Sequence, residues 1–440
     1  MMAEKSLLRA RWIVPVEPAG TVLEHHALAL RDGTIEALVP PAELGRFADY
    51  EEVRLDSHVL IPGLVNAHTH AAMSLMRGLA DDLPLMRWLQ EHIWPAEAKH
   101  VTAKFVREGT LLACAEMLRG GITCFSDMYF FPEASLEAAL AAGMRSAHGV
   151  IVIEFPSAYA SDPADYLRKG LALRDRYADE PLASFTLAPH APYTVSDDSF
   201  RRIATLAAEL DLPVHIHLHE TTDEIERSVA EHGVRPLERL GRLGLLGPGL
   251  IAVHAVHLLP EEIQTLGRHG ASMVHCPSSN LKLASGFASV HALLGAGVNV
   301  ALGTDGAASN NRLDILQEMR SAALLAKAVA RDAEALPAHA ALRAATLGGA
   351  RALGLGDRIG TLQRGKAGDV VAVDLRSLDL QPCYDPVSQL VYAAGREHVS
   401  DVWVGGVRQL RGGVLQNKAL SGLEIPVQLW QNALRSHADS

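Results

Sequence analysis

The chain has 440 residues, 48% of them hydrophobic, which suits one large barrel domain with a smaller accessory domain. Its formal charge of −11, with no basic stripe anywhere, excludes nucleic acid and anionic membrane surfaces as partners, since both select basic patches. No apolar run approaches the ~20 residues of a membrane span, and Cys114, Cys124, Cys276 and Cys383 lack paired spacing, so free thiols and a cytoplasmic location are expected.

The opening "MMAEKSLLRARWIVPV" is charged and too briefly apolar for a secretory leader. Residues 1–58, with "ALALRDGTIEALV", alternate β-branched residues with Asp-Gly turns and read as short antiparallel strands. From 59 to 356 eight apolar runs alternate with amphipathic helices: "IPGLVNAH", "GITCFSDMY", "MRSAHGVIVI", "ASFTLAPHA", "LPVHIHLHE", "LIAVHAVHL", "ASMVHCPSS" and "VNVALGTDG". Near-continuous apolar strands covered by helices make a parallel sheet, and eight such units predict a TIM (β/α)8 barrel, an α/β fold. The helix "TAKFVREGTLLACAEMLRGG" is expected to start at a Thr102 cap and to stop at Gly120-Gly121, and "RLDILQEMRSAALLAKAVA" follows the eighth strand in the same way. Residues 357–415, with "GKAGDVVAVDL" and "VSDVWVGGVRQLRGGVL", are strand-like again and are expected to join 1–58 in one small composite β-sandwich. The tail, 416–440, reads as a helix or a frayed end without a role.

Active sites of such barrels lie at the C-terminal ends of the strands. Strand one ends at His68 and His70, strand four at His190, strand five at His217 with Glu220 just beyond, strand six at His254 and strand eight at Asp305. The period-two rule puts His68 and His70 on one strand face. Three neutral nitrogens and a carboxylate oxygen, from His68, His70, His217 and Asp305, suit zinc or ferrous iron with one position open for water. A second metal would need a bridging group, and "FTLAPHAPY" on strand four offers no lysine, so one divalent metal per chain is expected.

Glu220 is placed to carry a proton between a metal-activated water and substrate, against the plainer reading of an acid that starts the helix "TTDEIERSV". His254, preferred to His257, would stabilise developing charge as a fixed donor. In "HIHLHE" His215 reads as a deeper barrel layer, while His219 is open between lining the pocket and bonding locally. His148 and His275 read as core or loop histidines. The apolar loop with Met73, Leu83, Leu85, Met86 and Trp88 is either a pocket cover or simple packing.

Taken together, "PGLVNAHTH", "HIHLHE", "HCPSSNLKLASG", "GTDGAASNN" and "GTLQRGKAGDVVAVDL" resemble the amidohydrolase superfamily, in its branch of chlorohydrolases and aminohydrolases, over nearly the whole chain. Within that branch "EHIWPAEAKHV", "LLACAEMLRGGIT", "DMYFFP" and "APHAPYTVS" are similar to the deaminases of 5'-methylthioadenosine and S-adenosylhomocysteine. The resemblance implies metal ligands at His68, His70, His217 and Asp305, and substrate contacts at Glu97, His190 and Glu220. It further implies hydrolytic deamination of an adenine nucleoside, with Glu220 protonating N1 and with Asp305 and His254 steering the proton that releases ammonia. Without it, Glu97, two residues after Pro95, would read as an acid favouring a helix N-terminus. Arginines that hold a homocysteine carboxylate in some members have no clear counterpart in "RSAHGVIVI" or "DPADYLRKG", so methylthioadenosine is expected ahead of S-adenosylhomocysteine. The competing readings are a deaminase or chlorohydrolase of a free base such as guanine or a triazine, a binuclear amidase or lactonase, and a non-catalytic scaffold. Similar barrels commonly form homo-oligomers, which leaves that assembly open here.

Overall fold

The computed structural model describes residues 5–438. The outermost residues of the two terminal segments, 1–4 and 439–440, lie outside the described residues. At the centre is an eight-stranded parallel sheet whose neighbours follow chain order. The strands are β1 (Leu64–Thr69), β2 (Ile122–Asp127), β3 (Arg145–Val152), β4 (Ala183–Pro189), β5 (Val214–Leu218), β6 (Leu250–His254), β7 (Ser272–His275) and β8 (Asn299–Leu302). Each lies within one of the apolar runs read from the sequence, except that β1 extends one residue past its run, to Thr69. Every residue of β1, β2, β3, β5, β6 and β7 is buried, which is why those runs are continuous rather than alternating.

The helices between strands start and stop where their caps predict. Thr102 accepts the N–H of Phe105 to open the helix Ala103–Arg119, and the chain leaves it through Gly121 at φ +79°. Asp314 does the same for Ile315–Ala330 by accepting from Gln317.

The seam between β8 and β1 is held by a side chain. Asn66 donates to Thr304 Oγ1 at 2.7 Å and accepts the Thr304 N–H at 2.9 Å. Just beyond, the Asp305 N–H donates to the His68 carbonyl at 3.0 Å, so barrel closure fixes two strand ends against each other. Replacing Asn66 by alanine leaves the buried Thr304 N–H without its partner and is expected to cost about 1–3 kcal/mol in urea unfolding. An unchanged midpoint would show that the seam is held by other contacts.

The two chain ends meet in a single nine-stranded sheet. Strand Glu51–Pro62 pairs parallel with Lys5–Ile13 on one side and antiparallel with Val370–Asp374 on the other. The sheet curls until its remote turns touch: a Cβ on Gly33 would lie 2.7 Å from the Gly405 carbonyl. Ile35 and Trp403, from distant strands, therefore share one core with Leu8, Leu28, Leu60 and Val370, and this is the sandwich expected from the sequence. Strand Glu51–Pro62 runs through Gly63 directly into β1, and the buried pair Arg145–Asp369, at 3.0 Å, ties the sheet to the barrel floor.

The tail, given no role from the sequence, carries the helix Glu424–Ala438. Trp430 donates to Glu108 at 2.6 Å, and Leu434 is buried in the same cluster as Phe105 and Met76. None of the described helices is long and apolar enough to cross a membrane.

Candidate active site

The ends of β1, β5, β6 and β8 bring His68, His70, His217, His254 and Asp305 to one point. Asp305 Oδ1 lies 3.4 Å from His68 Nε2 and 3.2 Å from His70 Nε2. The donor atoms of His68, His70 and Asp305 all fall within 4.8 Å of one another, as do those of His68, His217 and His254. Close packing permits this: a Cβ on Gly303 would meet His68 Cβ at 2.9 Å, so the β8 end can pass beside β1 only as glycine. Asp305, His254 and His219 all have left-handed backbones, at φ +61°, +69° and +53°, a clustering of strain expected at a functional site.

Each imidazole has its second nitrogen engaged. His70 Nδ1 donates to the Met128 carbonyl at 2.6 Å, His217 Nδ1 to the His190 carbonyl at 2.7 Å, and His254 Nδ1 to Asn280 Oδ1 at 3.0 Å. His68 Nδ1 meets His215 Nε2 at 2.9 Å. These bonds leave the Nε2 lone pairs facing inward, and His68 Nε2 is buried without a hydrogen-bond partner. Asp305 is oriented in the same manner: Ser279 and Ser309 donate to Oδ2 at 2.6 and 2.8 Å and Gly306 N–H to Oδ1 at 2.7 Å.

Burial lowers His68 to about 4 and holds His217 well below its ordinary value, so both are neutral at physiological pH, the state in which imidazole binds a cation. Burial also opposes charge on His70, but Asp305 and the Met128 carbonyl outweigh it and raise His70 to about 9. The Asp305 carboxylate thus favours positive charge at this point, and a metal cation would satisfy the same groups.

Glu220 stands beside this cluster with Oε2 3.8 Å from His254 Nε2, and burial raises its carboxyl. Across a cavity of about 500 Å³, Glu97 faces them with Oε1 accepting from the Tyr129 hydroxyl at 2.7 Å. Burial raises Glu97 to about 7 despite that bond. His190 lines the wall next to His217, its Nδ1 paired with Thr194 Oγ1 at 3.0 Å. The rest of the wall is mostly apolar, with hydroxyls at Ser157, Tyr159, Tyr193 and Ser309: Met73, Leu85 and Trp88 from the loop after β1 line it, whereas Leu83 and Met86 do not.

All eight residues picked out from the sequence therefore surround one chamber or its floor. His215 lies beneath His68, away from the cavity. His219 turns outward: its Nε2 accepts the Leu237 N–H at 3.0 Å, which answers its open role in favour of local bonding. His257 lies beyond the end of β6 and bonds the Ser285 carbonyl at 2.6 Å. His148 and His275 are buried and line no part of the cavity. Sequence reasoning missed Tyr129, Ser279, Asn280 and Ser309, although each sits in a quoted motif just past a strand end.

A parallel barrel with this donor set at its strand ends is a hydrolase scaffold, and the chain belongs to the amidohydrolase family, whose profile matches residues 59–408. A 5-methylthioadenosine/S-adenosylhomocysteine deaminase from Saccharophagus degradans is 50% identical over 91% of this chain and 90% of its own. One of the same name from Teredinibacter turnerae is 48% identical over 97% of both. The crystal structure of an adenosine deaminase from Xanthomonas campestris with bound zinc is 50% identical, covers 98% of each chain and superposes with a TM-score of 0.95.

Proposed function

We propose that this chain is a metal-dependent hydrolytic deaminase that converts 5'-methylthioadenosine to its inosine derivative and ammonia. One observation carries the reading: an inward-facing set of imidazoles and a carboxylate, with an unpartnered buried His68 Nε2, opens onto a chamber that holds Glu220 on one side and Glu97 on the other. The relatives that share about half of its residues carry that activity in their names.

His68, His70, His217 and Asp305 would hold one divalent metal, and three nitrogens with one carboxylate suit zinc ahead of ferrous iron. Bound there, such an ion supplies a water acidified from ~15.7 towards ~7 as the nucleophile. Glu220, whose carboxyl burial raises and so makes a better proton carrier near neutral pH, passes a proton to N1 of the adenine ring. Asp305 Oδ1 and His254 Nε2 then relay the proton that turns the 6-amino group into leaving ammonia. Glu97 accepts ribose hydroxyls with the oxygen that Tyr129 leaves free, and His190 contacts the nucleoside from the opposite wall.

The chamber favours a neutral 5'-substituent. Trp88, Trp94, Phe131 and Phe155 line it, and no lysine or arginine does among the described residues. Arg145 is spent on Asp369 at the barrel floor, and Arg168 is on the surface with Asp165. The chamber wall offers a homocysteine carboxylate no cation, and Lys169 behind Tyr159 is held by the Tyr159 carbonyl and Asp165, so S-adenosylhomocysteine is the poorer substrate. Three buried free cysteines and one half-buried one fit a cytoplasmic enzyme.

The test follows the ultraviolet change from adenine to hypoxanthine chromophore, with methylthioadenosine, S-adenosylhomocysteine, adenosine, adenine, guanine and a chlorotriazine as substrates of metal-analysed protein. Methylthioadenosine is expected to give the highest kcat/KM; turnover of free bases or the triazine alone would overturn the nucleoside assignment.

Glu97 supplies a sharper prediction. A charged acceptor for hydroxyls contributes about 1.5–3 kcal/mol, so Glu97→Ala should lower kcat/KM for methylthioadenosine roughly 10- to 150-fold and that for adenine hardly at all. Because its carboxyl titrates near 7 and binds ribose best when ionised, KM for the nucleoside should fall as pH rises from 6 to 8. Equal losses on nucleoside and free base would remove Glu97 from the ribose site.

A further inference from the structure

Glu224 is 5% exposed, lines no part of the cavity and points both carboxylate oxygens back along its own chain. Oε1 accepts the N–H of His219 at 2.9 Å and Oε2 accepts the N–H of Glu220 at 2.9 Å. The local reason is the sequence Thr-x-x-Glu from Thr221 to Glu224. Thr221 caps the helix Thr222–His232 by accepting the Glu224 N–H at 3.3 Å. In an ordinary capping box the acid returns to the N–H of the capping residue itself. Here it reaches one and two residues further, onto the turn that carries Glu220.

That turn is not the backbone's free choice. His219 has φ +53°, a conformation that costs a residue with a Cβ of order 1–3 kcal/mol. It persists because the peptide is braced from both sides. Opposite Glu224, the His219 carbonyl accepts the N–H groups of Val256 and His257, each at 3.0 Å, and the Ala255 N–H donates to the Leu218 carbonyl at 3.0 Å. The brace locks the turn after β5 to the turn after β6, and so fixes Glu220 and His254 relative to each other.

We propose that Glu224 is a positioning residue for the proton-transfer step: by holding two successive N–H groups it sets the backbone from which Glu220 reaches the substrate nitrogen. The inference rests on Glu220 being the proton carrier. Two side-chain oxygens are required, one for each N–H, and these bonds work against the burial that raises the Glu224 carboxyl to about 8, whereas glutamine would turn a donor against one N–H and leave it unpaired. A displacement of about 1 Å at a catalytic group can cost ~10²-fold in rate.

The experiment compares Glu224→Gln, Glu224→Ala and Glu220→Gln with the parent protein, reading kcat, KM for methylthioadenosine and metal per chain. Glu224→Gln is expected to lower kcat about 10- to 100-fold with KM within about threefold and metal unchanged, because binding and metal groups are untouched. A kcat within twofold of the parent, or joint loss of kcat, KM and metal, overturns the positioning role. If Glu224→Ala does not fold, Glu224→Gln, which keeps the size of the side chain and one acceptor, decides alone. An active Glu220→Gln would instead remove the proton-carrier reading itself, while an inactive Glu220→Gln beside a fully active Glu224→Gln would remove only the positioning inference.

Discussion

Glu220→Gln is expected to lower kcat by about 10²–10⁴-fold, the range for losing a positioned general acid, while the protein keeps its metal and its affinity for product. Deamination needs a proton on N1 as the ring is attacked, and the side chain supplying it must be protonated near neutral pH. Burial raises Glu220, and the nearby Asp305 charge raises it further while His254 works against it. The amide of glutamine has the same shape and a hydrogen to donate, yet it cannot release a proton, so binding survives and turnover does not. The measurement is single-turnover conversion of methylthioadenosine by metal-analysed variant, with product affinity read separately. Substantial residual turnover would move the proton transfer to His254 or to solvent.

Most of the barrel was legible because its strands are buried on both faces, and a chain that buries both faces writes a continuous apolar run. The reactive groups stood out for the same reason: His68, His217 and Asp305 fall towards the C-terminal ends of runs that are otherwise largely apolar. The supporting groups did not stand out. Ser279, Asn280 and Ser309 are the residue types that ordinarily cap helices and make turns, and only the fold shows two of them donating to Asp305 and the third accepting from His254. Glu224 was hidden likewise, since Thr-x-x-Glu announces a helix start and nothing more. His219 was ambiguous because strand alternation was extended through it, whereas β5 stops at Leu218 and the next residue takes a left-handed backbone. The plainer reading of Glu220, an acid that starts a helix, belongs to its neighbour Glu224 instead. The docking of the tail helix was unreadable, because the groups that hold Trp430 and Leu434, Glu108 for the one and the cluster of Phe105 and Met76 for the other, are remote in sequence.

Asp305→Asn should abolish both metal content and turnover. Ser279 and Ser309 hold Oδ2, so Oδ1 is the oxygen turned to His68 and His70, and it brings the single negative charge of the set. Three neutral imidazoles without that charge bind a divalent ion far more weakly, and the asparagine amide turns either a neutral carbonyl to the centre with its NH2 to the serines, or its NH2 to the centre with the carbonyl to the serines, and brings no charge in either orientation. Metal per chain is expected to fall below about a tenth, with kcat down more than ~10³-fold because the activated water goes with the ion. Thermal unfolding gives an independent reading. An ion that binds only the folded state stabilises it by about 4 kcal/mol at 1,000 times its dissociation constant. A chelator should therefore lower the unfolding midpoint of the parent protein and leave that of Asp305→Asn where it was. If the chelator shifts both equally, the ion is held elsewhere; if it shifts neither while activity disappears, the ion contributes to chemistry but not to holding the barrel mouth together.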